Sequence, residues 1–123
     1  MPPSDLDLLR GTFDLILLRA LTWGPMHGLG ILRWIESTTQ NGLQIEEGSL
    51  YPALHRLEQK GWLAAEWGIS ENNRKAKYYR LTTVGRRQLT AELTRWSRYT
   101  AAIGLIIAAS GATPNGATSA GAK

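Results

Sequence analysis

Cysteine is absent from the 123 residues, and histidine occurs only as His27 and His55. No thiol means no disulfide, no thiolate zinc site and no cysteine nucleophile, a composition that fits a reducing compartment. The two histidines form no i, i+4 pair with which Glu36, Glu46, Glu47 or Glu58 could complete a metal site, so neither a metal nor another cofactor is expected. They stand in no recognisable catalytic spacing either, which sets an enzyme aside. The opening MPPSDLDLLR has acids and prolines where a secretory signal needs a cationic start and a long apolar run, and the chain is expected in the cytoplasm. The apolar run AAIGLIIAA is far short of the ~20 residues that cross a bilayer, so no membrane partner is expected. Gly28 and Gly30 follow no strand and lack both a third glycine and a Lys-Ser/Thr pair, which excludes a nucleotide phosphate loop. The length suits one modest domain that gains from oligomerising.

Acid is also missing where it matters most. Between Asn73 and Arg87 the chain carries Arg74, Lys75, Lys77, Arg80, Arg86 and Arg87 without one carboxylate, within an overall charge of only +4. Such a concentrated positive field points to a polyanion, with a nucleic-acid backbone the obvious one. Just before it lies EGSLYPALHRLEQKGW, Glu47 to Trp62. Leu50, Leu54 and Leu57 recur at the helical period with Ala53 beside them, and form a stripe for the core. The opposite side carries Ser49, Tyr51, Pro52, His55, Arg56 and Gln59, a face of donors, a cation and a ring suited to phosphates and base edges. Ser49 is read as the cap, Pro52 as a first-turn residue and Gly61 as the left-handed stop.

Two helices are expected upstream. The first runs from Thr12, its cap, to Trp23 and ends at Gly24-Pro25; the second spans about Gly28 to Ser37 and buries Ile31, Leu32 and Ile35. Asn41-Gly42 marks a turn, and Leu43 with Ile45 is read as a very short strand. Two helices, a connection and a third helix make a helix-turn-helix layout. Downstream, WLAAEWG and KYYRLT alternate around ISENNRKA as a hairpin, a wing whose Asn73, Arg74, Lys75 and Lys77 can follow a backbone or enter a minor groove.

A long helix is expected from Thr83 to about Ala109. Leu89, Leu93, Trp96, Thr100, Ile103 and Ile107 are spaced as a heptad seam that a domain of this size cannot cover alone, so a second copy is the expected partner in a two-fold dimer. Trp96, opposite its symmetry mate, is expected to line a slot for a flat effector, with plain interface packing as the alternative. The expected organisation is a DNA-binding domain over 1–82, a dimerisation helix over 83–110 and a disordered tail over 111–123, which has no large apolar residue. The fold class is mainly α with a small β-hairpin: a winged helix-turn-helix plus one long C-terminal helix.

Three segments in this order, GPMHG, EEGSLYPALHRLEQKGW and SENNRKAKYYRLTTVGRRQL, carry a resemblance to the PadR-type transcriptional regulators, in their short subclass with a single C-terminal helix. The resemblance covers Leu6 to about Ser110. It implies a dimer with Ser49, Tyr51, Pro52, His55 and Arg56 on the DNA-reading helix and Asn73, Arg74, Lys75 and Lys77 in the wing. It further implies repression of a neighbouring gene, often for efflux or detoxification, relieved by a small aromatic or hydrophobic effector near the dimer interface. The aromatic usual after HG is Leu29 here, and the polar position two residues on is Ile31; both departures bear on the effector and not on DNA. The partners expected are therefore double-stranded DNA with an inverted-repeat operator, a second copy and an effector. A protein-interaction module that kept the fold and lost DNA readout is the alternative.

Overall fold

The computed structural model describes residues 5–111, with side chains from Thr12 onward. Helix α1 spans Asp5–Ala20 and tightens into a single 3-10 turn over Leu21–Trp23. It starts earlier than the sequence reading had it, and Thr12 lies inside it instead of capping it, because Asp5–Arg10 is leucine-rich and free of proline and lets the helix extend. Phe13, Leu17, Leu18 and Leu21 enter the core.

After Gly24-Pro25 the chain forms a two-residue strand, β1 (Met26–His27), then helix α2 (Gly28–Thr38), which buries Ile31, Leu32 and Ile35 as expected. The short strand was read at Leu43 and Ile45, but it forms here, where an open edge accepts it. Leu43 is held by the Thr39 hydroxyl, which accepts its N–H at 3.1 Å, and Ile45 turns into the core.

Helix α3 spans Glu47–Gln59. Its first turn closes on the Glu46 carbonyl, which accepts from Ser49 and Leu50, so Ser49 is inside the helix and not its cap, and Pro52 falls beyond the first turn. Glu47 in that turn complements the positive end of the helix dipole. At the other end Gly61 takes φ +79°, and the Trp62 and Gly61 N–H groups donate back to Leu57 and Glu58, a Schellman stop that satisfies the terminal carbonyls. Leu50, Ala53, Leu54 and Leu57 are buried, the predicted stripe.

Strands β2 (Leu63–Ile69) and β3 (Lys75–Leu81) form the hairpin, and β1 pairs with the other edge of β3, giving an antiparallel sheet in the order β1-β3-β2. Met26 sits opposite Tyr79 and His27 opposite Tyr78. Helix α4 (Thr83–Ala108) begins at Thr82, whose hydroxyl donates to the Gly61 carbonyl at 2.6 Å and accepts from the Gly85 N–H at 3.0 Å. Gly85 is required there: a β-carbon on it would come within 2.0 Å of the Trp62 carbonyl oxygen.

The chain divides after Leu93 into two units, whereas the sequence reading ended the first domain at residue 82. The opening turns of α4 belong to the first unit because Gly85 and Leu89 are buried in it. In the second unit, α4 continues to Ala108 with every residue exposed. Of the expected tail, residues 112–123 lie outside the described residues. No helix among the described residues is long and apolar enough to cross a membrane.

Candidate nucleic-acid interface

The exposed side of α3 starts from Tyr51. Its ring lies so close on Gly28 at the start of α2 that a β-carbon at residue 28 would meet it at 2.5 Å. Partial burial, reinforced by Glu47, pushes the Tyr51 phenol above its ordinary pKa, so it remains a protonated donor. Pro52 and His55 are exposed beside it and Ser49 is half-buried, as the helical wheel requires.

Arg56 departs from the expectation of an outward-pointing base reader. Its guanidinium pairs with the Asp14 carboxylate of α1, with side-chain exposures of 41% and 22%. The pair ties α3 to α1, because a half-covered cation one helix away from a carboxylate gains more from pairing than from pointing into solvent. Lys77 is committed in the same way. Its ammonium donates to Glu58 of α3 at 3.0 Å, and this bond raises its pKa, so it braces the base of the wing instead of extending from it.

The tip of the wing turns its side chains outward, apart from Glu71. The turn from Ser70 to Arg74 closes by two backbone bonds, Ser70 N–H to Arg74 O at 2.8 Å and Asn73 N–H to Ser70 O at 2.9 Å, with Asn73 at φ +58°. Asn73, Arg74 and Lys75 are exposed. Trp67 shares the apolar alternation of its strand with the buried Leu63 but is 64% exposed, because the hairpin runs out past the core, and the Lys75 ammonium lies 5.0 Å from its ring centroid. Glu71 reaches back to α2, with Oε1 3.2 Å from Arg33 and Oε2 3.5 Å from His27. Its carboxyl is held below the usual value by its own backbone N–H and by His27. Between α3 and the wing lies a groove of about 410 Å³ lined by Gly28, Tyr51, Trp67, Arg74 and Lys75 among others.

His27 is the residue that sequence reasoning undervalued. Its Nδ1 accepts from the Gly30 N–H at 3.0 Å and caps α2, its ring meets Tyr78 edge-on at 5.3 Å, and its backbone belongs to β1. A polar residue directly before a helix, three positions ahead of a free N–H, was the available signal.

The seam residues separate into two groups. Leu89 is 6% exposed in the core of its own subunit, so it is not open to a second copy. Leu93, Trp96, Ile103 and Ile107 are exposed, and the exposed Thr100 donates to the Trp96 carbonyl at 2.9 Å. Tyr99, Leu105 and Ile106, which the heptad reading passed over, widen the apolar surface, and the Trp96 and Tyr99 rings lie 6.4 Å apart.

Comparison with known proteins agrees with this layout. The profile described as "Transcriptional regulator PadR-like family" matches residues 17–91, more than half of the chain. A transcriptional regulator of Mycobacterium tuberculosis is 37% identical over 84 residues, covering 68% of this chain and 74% of its own length. Among solved structures, a transcriptional regulator from Clostridium thermocellum superposes with a TM-score of 0.73 at 31% identity, covering 80% of this chain and 95% of that one. A PadR family transcriptional regulator from Eggerthella lenta gives 0.69 at 32% identity, with 85% and 89% covered. With its winged-helix architecture and these matches, the chain belongs to the PadR-like family of transcriptional regulators and is not an enzyme.

Proposed function

We propose that this regulator acts as a dimeric repressor that reads an inverted-repeat operator with α3 and steadies itself on the backbone with its wing. The observation that carries the reading is the groove in which Tyr51 of α3 and Arg74 and Lys75 of the wing line one surface. In this assignment Ser49, Tyr51, Pro52 and His55 face the bases, while Asn73, Arg74 and Lys75 face phosphates. Arg56 and Lys77 contribute by fixing α3 against α1 and the wing, through Asp14 and Glu58. Dimerisation runs through Leu93, Trp96, Thr100, Ile103 and Ile107, supported by the breadth of exposed apolar surface on α4.

Relief of repression is assigned to a small aromatic or hydrophobic effector at Trp96, a reading supported by two large rings adjacent on that surface. Such a ligand releases DNA only by binding the DNA-incompetent arrangement more tightly. The regulated neighbour is then an efflux or detoxification gene.

Selection from random DNA, followed by sequencing of the bound pool, tests the reading. An inverted repeat with half-sites about one turn, ~34 Å, apart is the expected product. With the four cations that Arg74 and Lys75 supply in a dimer, affinity should fall by ~10² between 50 and 200 mM salt. Binding that ignores salt, or a pool without a repeat, contradicts the assignment. The effector is tested separately, by replacing Trp23, Trp34, Trp62 and Trp67 with Phe and titrating planar aromatic compounds against Trp96 fluorescence. Unchanged emission and unchanged operator affinity across a broad panel would leave Trp96 as interface packing.

A further inference from the structure

The wing turn carries one acid among its cations, and that acid lines the groove with Arg74 and Lys75 while pairing with the helical side. Glu71 follows Ser70 at the start of the turn and sits three residues before Arg74, yet its carboxylate is bound to Arg33 of α2 and to His27, the cap of that helix, at 3.2 and 3.5 Å. His27 is itself fixed three times over, as the cap of α2, as the partner of Tyr78 in the sheet and as an edge contact to the Tyr78 ring. The turn is thus tethered to a rigid point on α2 by a single side chain. Farther down the hairpin Lys77 ties the base of the wing to Glu58 of α3 at 3.0 Å, and Tyr78 donates its phenol to the Ile69 carbonyl at 3.2 Å, a bond within the hairpin; neither reaches the turn itself.

We propose that Glu71 is a positioning residue for DNA binding, a brace that sets the wing turn against α2 so that Arg74 and Lys75 line the same groove as Tyr51. This rests on the DNA-binding reading above. Two physical effects oppose each other at this position, and their signs differ. Taken as a charge alone, Glu71 repels phosphates and occupies Arg33, so removing it should tighten DNA binding. Taken as a brace, its removal frees the turn, and ordering the turn again on binding costs affinity. The tethering contacts are exposed and individually weak, so the net loss expected is about three- to fivefold, within what such pairs supply. The sign is what decides.

The experiment measures affinity of the full chain for its selected operator at one salt concentration, for wild type, Glu71→Ala, Glu71→Gln and Glu66→Ala. Glu66 is an exposed acid on β2 of the same hairpin and serves as the control for charge alone. Glu71→Ala should bind about three- to fivefold more weakly with only a slight drop in melting temperature, since the contacts are at the surface. Glu71→Gln keeps an acceptor for Arg33 and should recover part of the loss, whereas Glu66→Ala should bind as well as wild type or better. Equal or tighter binding by Glu71→Ala overturns the brace, and so does a Glu71→Gln variant that recovers nothing. Failure of the wild type to select or bind any operator is a different result: it removes the DNA-binding reading before any variant is compared.

Discussion

The two units of the chain solve the problem of apolar surface in opposite ways. Up to Leu93, helices and sheet bury one another's leucines, and Leu17, Leu18, Leu50, Leu54 and Leu57 all lie in one core. From Thr94 on, α4 carries Trp96, Tyr99, Ile103, Leu105, Ile106 and Ile107 with each of them exposed, Ile107 at 78%. Burial of a side chain of this kind is worth roughly 1.5–3 kcal/mol, so leaving this many in water supports the proposal that a second copy covers them. The contrast separates the residues that make the fold from those proposed to make the assembly, and it moves Leu89 from the second category to the first.

Substitutions can break that contrast in order of effect. Leu54→Ala, in the closed core, should cost about 2–5 kcal/mol and show as a large drop in the unfolding midpoint by circular dichroism. Ile103→Asp should leave the fold of the first unit but convert the protein to monomer in sedimentation at micromolar concentration; a variant that stays dimeric places the interface elsewhere. Arg56→Ala should lower stability by only about 0.5–1 kcal/mol, because its pair with Asp14 is partly screened by solvent. Its DNA affinity should fall by the same factor on operator and random sequence, and a loss confined to the operator would return Arg56 to base reading. Smallest is the effect of acid. Because Glu71 is held below its ordinary value of 4.5, its contribution is complete above that value and disappears as pH falls through the lowered one. Glu71→Gln should therefore flatten the acid limb of the stability profile slightly; an unchanged limb would show that the brace adds nothing to the folded state.

Periodicity made the fold legible where faces are strongly two-sided. The Leu50, Leu54 and Leu57 stripe, the Gly61 stop and the wing hairpin could all be read from residue spacing, because each depends on neighbours only a turn or a strand away. What stayed hidden depends on partners far along the chain. Asp14 and Arg56 are 42 positions apart, and Glu71 is 44 from His27, so no local pattern announces either pair. Strand β1 is two residues long and exists because β3 offers it an edge, which is also why Leu43 and Ile45, with no such edge, remain a loop. Ser49 looked like a cap because serine caps well; the helix started on the Glu46 carbonyl instead, and Ser49 was drawn inside.

The central claim is that two copies joined through the far half of α4 present two recognition helices to one face of DNA. Affinity for the selected operator, compared at fixed salt with the same operator carrying about half a helical turn of extra sequence between its half-sites, tests it most directly. The account predicts that the insertion rotates one half-site away and lowers affinity at least about tenfold, toward non-specific binding. Equal affinity for the two DNAs would contradict it.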